Sequence, residues 1–102
     1  MNAFLEAKKN ELPALCRRHR VDRLELFGSA ASEGFDPSRS DLDFLVRFQP
    51  GTPEEHANRY FGLLEDLQDL FGCPIDLVET PAIVNPYFLQ AIEASRTLVY
   101  AD

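Results

Sequence analysis

Two aspartates one residue apart, Asp41 and Asp43, follow the pair Gly28-Ser29 across a short polar stretch, and a third, Asp76, stands near the start of a later apolar run. Side chains at positions i and i+2 of a strand share a face. With Leu42-Asp43-Phe44-Leu45-Val46 read as a strand, Asp41 and Asp43 point the same way. Two carboxylates so placed repel each other unless a cation lies between them. Hard oxygen donors suit magnesium, which takes one or two carboxylates and lets substrate phosphates complete its shell. Gly28-Ser29 offers the phosphates a place. Glycine lets a backbone approach closely, and the hydroxyl and free N–H groups of the next turn can donate. The chemistry implied is metal-dependent and acts on a nucleotide. Each half alone is weak, because Gly-Ser also makes an ordinary turn and aspartates at strand starts also serve as solvated caps. Asp43 precedes Phe44-Leu45-Val46, however, and Asp76 lies between Ile75 and Leu77-Val78. Embedding acids among core residues is costly without a partner, which argues against surface decoration.

The elements that must position these residues follow from periodicity and punctuation. Arg23-Leu24-Glu25-Leu26-Phe27 alternates as a strand does, and Gly28 ends it; a turn or short helix over 29–34 and a polar loop over 35–40 lead to a strand from Asp41 to Phe48. Thr52-Pro53-Glu54-Glu55 combines an N-cap, a proline at the first helical position and a glutamate placed for a capping box. Tyr60, Leu63, Leu64, Leu67, Leu70 and Phe71 then recur at helical steps and form a core-facing stripe, which Gly72 and Pro74 terminate. Ile75 to Glu79 is a short strand between prolines, Asn85-Pro86 opens a last helix with Phe88, Leu89 and Ile92 inward, and Leu98-Val99-Tyr100 adds a small terminal strand. Upstream, Asn10 as N-cap would place Pro13 in the first turn of a helix from about Glu11 to His19, behind a looser helical lead-in. Strands and helices alternate along the chain. This predicts a single α/β or α+β domain over residues 1–102, with helices packed on a small mixed sheet.

Composition narrows the partners. With 17 acidic against 10 basic residues the formal net charge is −7, which disfavours direct binding to a long nucleic acid but not to a nucleotide carried with magnesium. No apolar stretch reaches the roughly 20 residues of a membrane span, and the start of the chain lacks a secretory pattern, so a cytoplasmic protein away from the membrane is expected. Cys16 and Cys73 lack histidines at metal-ligand spacing and read as free thiols in or near the core. His19 and His56, on polar helical stretches, read as surface residues, and Arg39 and Arg47 as solvated.

Taken together, Leu26-Phe27-Gly28-Ser29, Arg39-Ser40-Asp41-Leu42-Asp43-Phe44-Leu45-Val46 and Ile75-Asp76-Leu77-Val78 resemble the minimal nucleotidyltransferases of the polymerase-β-like superfamily, including its MntA-type antitoxins. The resemblance spans nearly the whole chain. It implies that Gly28 and Ser29 hold the triphosphate of the incoming nucleotide. It further implies that Asp41 and Asp43 bind two magnesium ions, and that Asp76 binds one of them and helps activate the attacking hydroxyl. The implied reaction moves a nucleotidyl group, AMP from ATP, to a hydroxyl. The acceptor would be a tyrosine of a helical HEPN-type toxin for which this chain is the antitoxin, and a homo- or hetero-oligomer is compatible with this. One departure stands out: where members commonly read Gly-Ser-x-Ala-Arg-Gly, Ser32 replaces the arginine and Glu33 the following glycine. That change leaves open an antitoxin with a weak or inactive site that neutralises its partner by binding. Transfer to a small molecule, as in larger relatives, is a third reading.

Overall fold

The computed structural model describes residues 3–27, 41–79 and 96–102, with side chains from Leu5 onward in those ranges. A short helix α1 (Ala3–Glu6) and a 3-10 turn (Lys9–Glu11) lead into α2 (Leu12–Arg18). Then come β1 (Val21–Phe27), β2 (Leu42–Phe48), α3 (Pro53–Phe71), β3 (Ile75–Glu79) and β4 (Thr97–Ala101). The strands form one mixed sheet in the order β3-β2-β1-β4, with β1 antiparallel to β2 and β4, and β2 parallel to β3. The helix expected after Asn85-Pro86 and the turn expected over 29–34 lie outside the described residues.

Alternation sorts the strand residues onto two faces. Leu24, Leu26, Leu42, Phe44, Val46, Phe48 and Leu77 face the helical layer and join Leu12, Cys16, Leu63, Leu67 and Phe71 in the main core. Phe27, Leu45 and Val78 form a smaller cluster on the opposite face. Both sides of β2 are thus engaged, and its register is strongly specified because a one-residue slip would exchange the two sets.

The ends of α3 follow their local chemistry. Glu55 N–H donates to Thr52 Oγ1 at 3.1 Å while Thr52 N–H donates to Glu55 Oε1 at 3.1 Å, and Pro53 starts the helix. Gly72 ends it in the left-handed conformation, φ 65°. The start of α2 differs from expectation. Glu11, not Asn10, is its N-cap, without a side-chain cap bond, because the 3-10 turn takes in Asn10 and runs directly into the helix. Pro13 still falls in the first turn. Arg20, with φ 58°, reverses the chain between α2 and β1, and its carbonyl accepts from Gln49 N–H at 2.9 Å.

Candidate active site

Two strands and one helix end set Asp43 beside Asp76, with Asp41 just ahead of β2. Gly72 turns the chain out of α3, Pro74 blocks any continuation of the helix, and the Pro74 carbonyl accepts from Leu42 N–H at 3.0 Å. That bond starts the parallel ladder in which Asp43 lies opposite Asp76. Both aspartates occupy the sheet face that carries Leu45 and Val78, away from α2 and α3. Asp43 is half-buried; Asp41, immediately before β2, and Asp76 are exposed. Asp76 is therefore less embedded than its apolar neighbours suggest, because β3 is an edge strand among the described residues and Leu77, not Asp76, turns into the core.

Burial pushes the Asp43 carboxyl above the usual carboxylate range, and the charges of Asp76 and Asp41 push it further. A divalent cation would relieve that repulsion, and an all-oxygen set at strand ends suits magnesium. As they stand, the described residues include no group of three or more His, Cys, Asp or Glu side chains gathered to hold a metal ion. Their fit to a cation therefore rests on the oxygen chemistry and the repulsion at Asp43, not on a ready-made cage. The Cys73 thiol is also raised, by burial and then by Asp41, which places it at the rim of this group. Gly28 and Ser29, expected to take the phosphates, lie outside the described residues, as do Ser32, Glu33 and Arg39.

The same sheet face carries a second charged group. Glu25, only 4% exposed, accepts from Arg96 Nε at 2.8 Å and Nη2 at 2.9 Å, and from Arg23 Nε at 3.1 Å. These hydrogen bonds hold its carboxyl below the usual range, Arg96 more than Arg23. Register puts Glu25 opposite Leu45 and Phe27 opposite Asp43, so Glu25 and Asp43 are diagonal neighbours across β1 and β2.

Both histidines depart from the surface positions expected of them. His19 Nε2 lies 2.5 Å from Asp66 Oδ2, with Arg18 Nη1 donating to the same oxygen at 3.1 Å, and together they join α2 to α3. His56 lies 2.8 Å from Glu79 and packs edge-on against Phe48. Each partner is distant in sequence, so nothing local marked the pairing. Arg47 is exposed, as expected, but pairs with Asp22 at 2.6 Å. Cys16 is buried, Cys73 is half-buried, and both are free.

Residues 9–99 match the family model of the nucleotidyltransferase domain. The chain belongs to that family. As a nucleotidyltransferase it is similar to "Putative protein adenylyltransferase MJ0128" of Methanocaldococcus jannaschii, 38% identical over 86 residues, which cover 84% of this chain and 82% of the relative. A solved structure described as a "putative minimal nucleotidyltransferase" superposes with a TM-score of 0.65 at 31% identity, covering 90% of this chain and 89% of the other. A toxin–antitoxin crystal structure with AMP-PNP gives a TM-score of 0.69 at 18% identity, covering 92% and 73%, a likeness of fold. So does a tri-AMPylated Shewanella oneidensis HEPN toxin in complex with MNT antitoxin, with a TM-score of 0.64 at 16% identity, covering 95% and 72%. The minimal nucleotidyltransferase character expected from the aspartate pattern is borne out, as is the small mixed sheet. No helix among the described residues is long and apolar enough to cross a membrane.

Proposed function

We propose that this nucleotidyltransferase moves AMP from ATP to a hydroxyl of a partner protein, a tyrosine of a HEPN-type toxin, and so acts as an antitoxin. The observation that carries the reading is the parallel register that sets Asp43 beside Asp76, with Asp41 close enough for its charge to act on Asp43. The curated relative's description as a protein adenylyltransferase, and the toxin–antitoxin complexes among the structural neighbours, support the choice of acceptor.

In this reading Asp41, Asp43 and Asp76 hold two magnesium ions, and Gly28 and Ser29 hold the triphosphate. Bound there, the ions stabilise the attacking and leaving oxygens of an in-line displacement. The acceptor oxygen forms a bond to the α-phosphorus, the bond from that phosphorus to the bridging oxygen breaks, and pyrophosphate leaves with the electron pair. The acceptor proton passes to the Asp76 carboxylate. Asp43, half-buried and pressed by two like charges, is the acid with most to gain from a cation.

Ser32 and Glu33, where family members commonly carry arginine and glycine, favour a second reading: neutralisation by contact, with a weak or silent site. One experiment separates the two. The chain is incubated with magnesium, ATP and the product of its neighbouring gene, and intact masses are read. Addition of AMP to the partner, abolished in Asp41→Asn and Asp43→Asn, is the expected result. A stable complex with no mass change, and neutralisation retained in both variants, would sink the enzymatic reading.

A further inference from the structure

Asp43 belongs to β2, with Asp41 immediately before it, and β2 has a hydrogen-bonded neighbour on each side; Asp76 belongs to β3, which among the described residues pairs with β2 alone. Among the described residues the sheet therefore constrains Asp76 less than Asp43. A two-metal reaction needs its ligands held closely, since small displacements at a reacting centre cost large factors in rate. Something other than the ladder has to hold β3, and α3 makes the contacts. The Tyr60 hydroxyl donates to the carbonyl of Leu77, the residue after Asp76, at 2.6 Å. One helical turn earlier, His56 Nε2 lies 2.8 Å from Glu79 Oε1 at the end of the same strand, a close approach without hydrogen-bond geometry that becomes an ion pair when the imidazole is protonated. Beside these two contacts the Leu77 side chain is buried at 4% exposure. Residues four apart on a helix lie on one face, so the two side chains form a pair aimed at one strand. Their helix is 19 residues long, capped at both ends and anchored in the core through Leu63, Leu67 and Phe71, so it is a rigid base for the ties.

We propose that Tyr60, seconded by His56, is a positioning residue that straps β3 to α3 and so fixes the placement of Asp76 for metal binding. The Tyr60 ring packs against the main core, but its hydroxyl adds no apolar area and does one thing: it occupies a strand carbonyl that would otherwise turn to water. The proposal rests on Asp76 being the third metal-binding acid of the proposed reaction.

The test compares the full chain with Tyr60→Phe, which keeps the ring, with His56→Gln, and with Gln68→Ala as an exposed control on the same helix. Amide hydrogen exchange is measured without metal, Mn2+ binding by calorimetry, and AMP transfer where the unaltered chain performs it. In Tyr60→Phe, exchange is expected to quicken over residues 75–79 with β1 unchanged, and Mn2+ affinity to fall about 10-fold, the low end for loss of a group that supports a metal ligand. The turnover rate falls with little change in KM for ATP, His56→Gln moves the same way by less, and Gln68→Ala matches the unaltered chain. Unchanged exchange, unchanged Mn2+ affinity, or loss of protection throughout the molecule each overturns the strap. If the unaltered chain transfers no AMP while Tyr60→Phe still loosens β3 and weakens Mn2+ binding, the proposed reaction falls and the strap stands. Transfer by the unaltered chain, with Tyr60→Phe indistinguishable from it, leaves the reaction standing and removes the strap.

Discussion

Asp43 and Glu25 are acids on one sheet face, a diagonal step apart, and their surroundings drive them in opposite directions. Glu25 is buried with two guanidinium partners, whereas Asp43 is half-buried and, among the described residues, feels the like charges of Asp76 and Asp41. The signs of their contributions to stability follow. A carboxyl whose folded pKa is raised is more stabilising in its protonated form, and the advantage is lost as pH rises through that value. At neutral pH the ionised Asp43 is therefore a burden on the metal-free protein. Asp43→Asn is expected to raise the melting temperature of metal-free protein by a few degrees while abolishing transfer. Magnesium should then raise the melting temperature of the unaltered chain but not of the variant; a variant that melts lower without metal refutes this. Glu25 has the opposite sign. Its folded pKa is lowered, so its stabilisation is present above the ordinary carboxylate value of about 4.3 and is lost as pH falls through the folded value. Glu25→Gln should cost about 1–3 kcal/mol at neutral pH, as for a buried charge-assisted hydrogen bond lost. Its stability should then fall less than that of the unaltered chain on acidification below about pH 4, followed by chemical denaturation.

At the scale of elements, two left-handed residues bracket the helices with opposite economy. Gly72 turns α3 toward β3 with no neighbour among the described residues near its missing side chain, so Gly72→Ala is expected to suffer the backbone cost, about 1 kcal/mol. Arg20 holds the same conformation between α2 and β1 with a side chain that disfavours it. Arg20→Gly should therefore stabilise by up to about 1 kcal/mol, or roughly 4–8 °C in a domain of this size, and Gly72→Ala should destabilise by a similar amount. Thermal melts of the two variants decide it, and a lower melting temperature for Arg20→Gly refutes the reading of strain there. These elements also show what was legible in the chain. The capping box at Thr52, the stop at Gly72 and the strand at Ile75–Glu79 could be read because their chemistry lies within a few residues of sequence. The cap of α2 was misread because a 3-10 turn offers its own geometry, which the Asn10 signal does not report. The pairing of Asp43 with Asp76 was suggested by family pattern, but its register depends on a crossover through the whole of α3. His19 with Asp66 and Tyr60 with Leu77 meet only after folding, across 47 and 17 residues, and no periodicity announces them.

Across the whole molecule the basic residues are unevenly spread along the chain. Lys8, Lys9, Arg17, Arg18, Arg20 and Arg23, six of the ten basic residues, fall within sixteen positions around α2. The candidate site lies at the other end of β1, where Phe27 meets Asp43, and its described charges are those of Asp41, Asp43 and Asp76. Arg18 and His19 already spend part of the basic group on Asp66 of α3. An acceptor approaching the aspartates thus meets a negative field, against a formal net charge of −7 for the whole chain. In the proposed reaction ATP would enter with magnesium offsetting its charge, whereas a polyanionic acceptor would be repelled along its length. A protein hydroxyl set among basic side chains would be steered inward, with an attraction that extends about 10 Å at 0.1 M salt and about 3 Å at 1 M. The expected outcome is a kcat/KM for the protein acceptor that falls steeply as salt is raised, with little change in kcat at saturating acceptor. Single-stranded RNA added at physiological salt should neither bind nor compete. Salt-independent transfer, or inhibition by RNA with displacement of the acceptor, would show that the field of the molecule does not select its partner. Charge reversal at exposed Glu65, away from the aspartates, distinguishes a local effect from the field as a whole: it should move kcat/KM only slightly, because steering sums over all the acids.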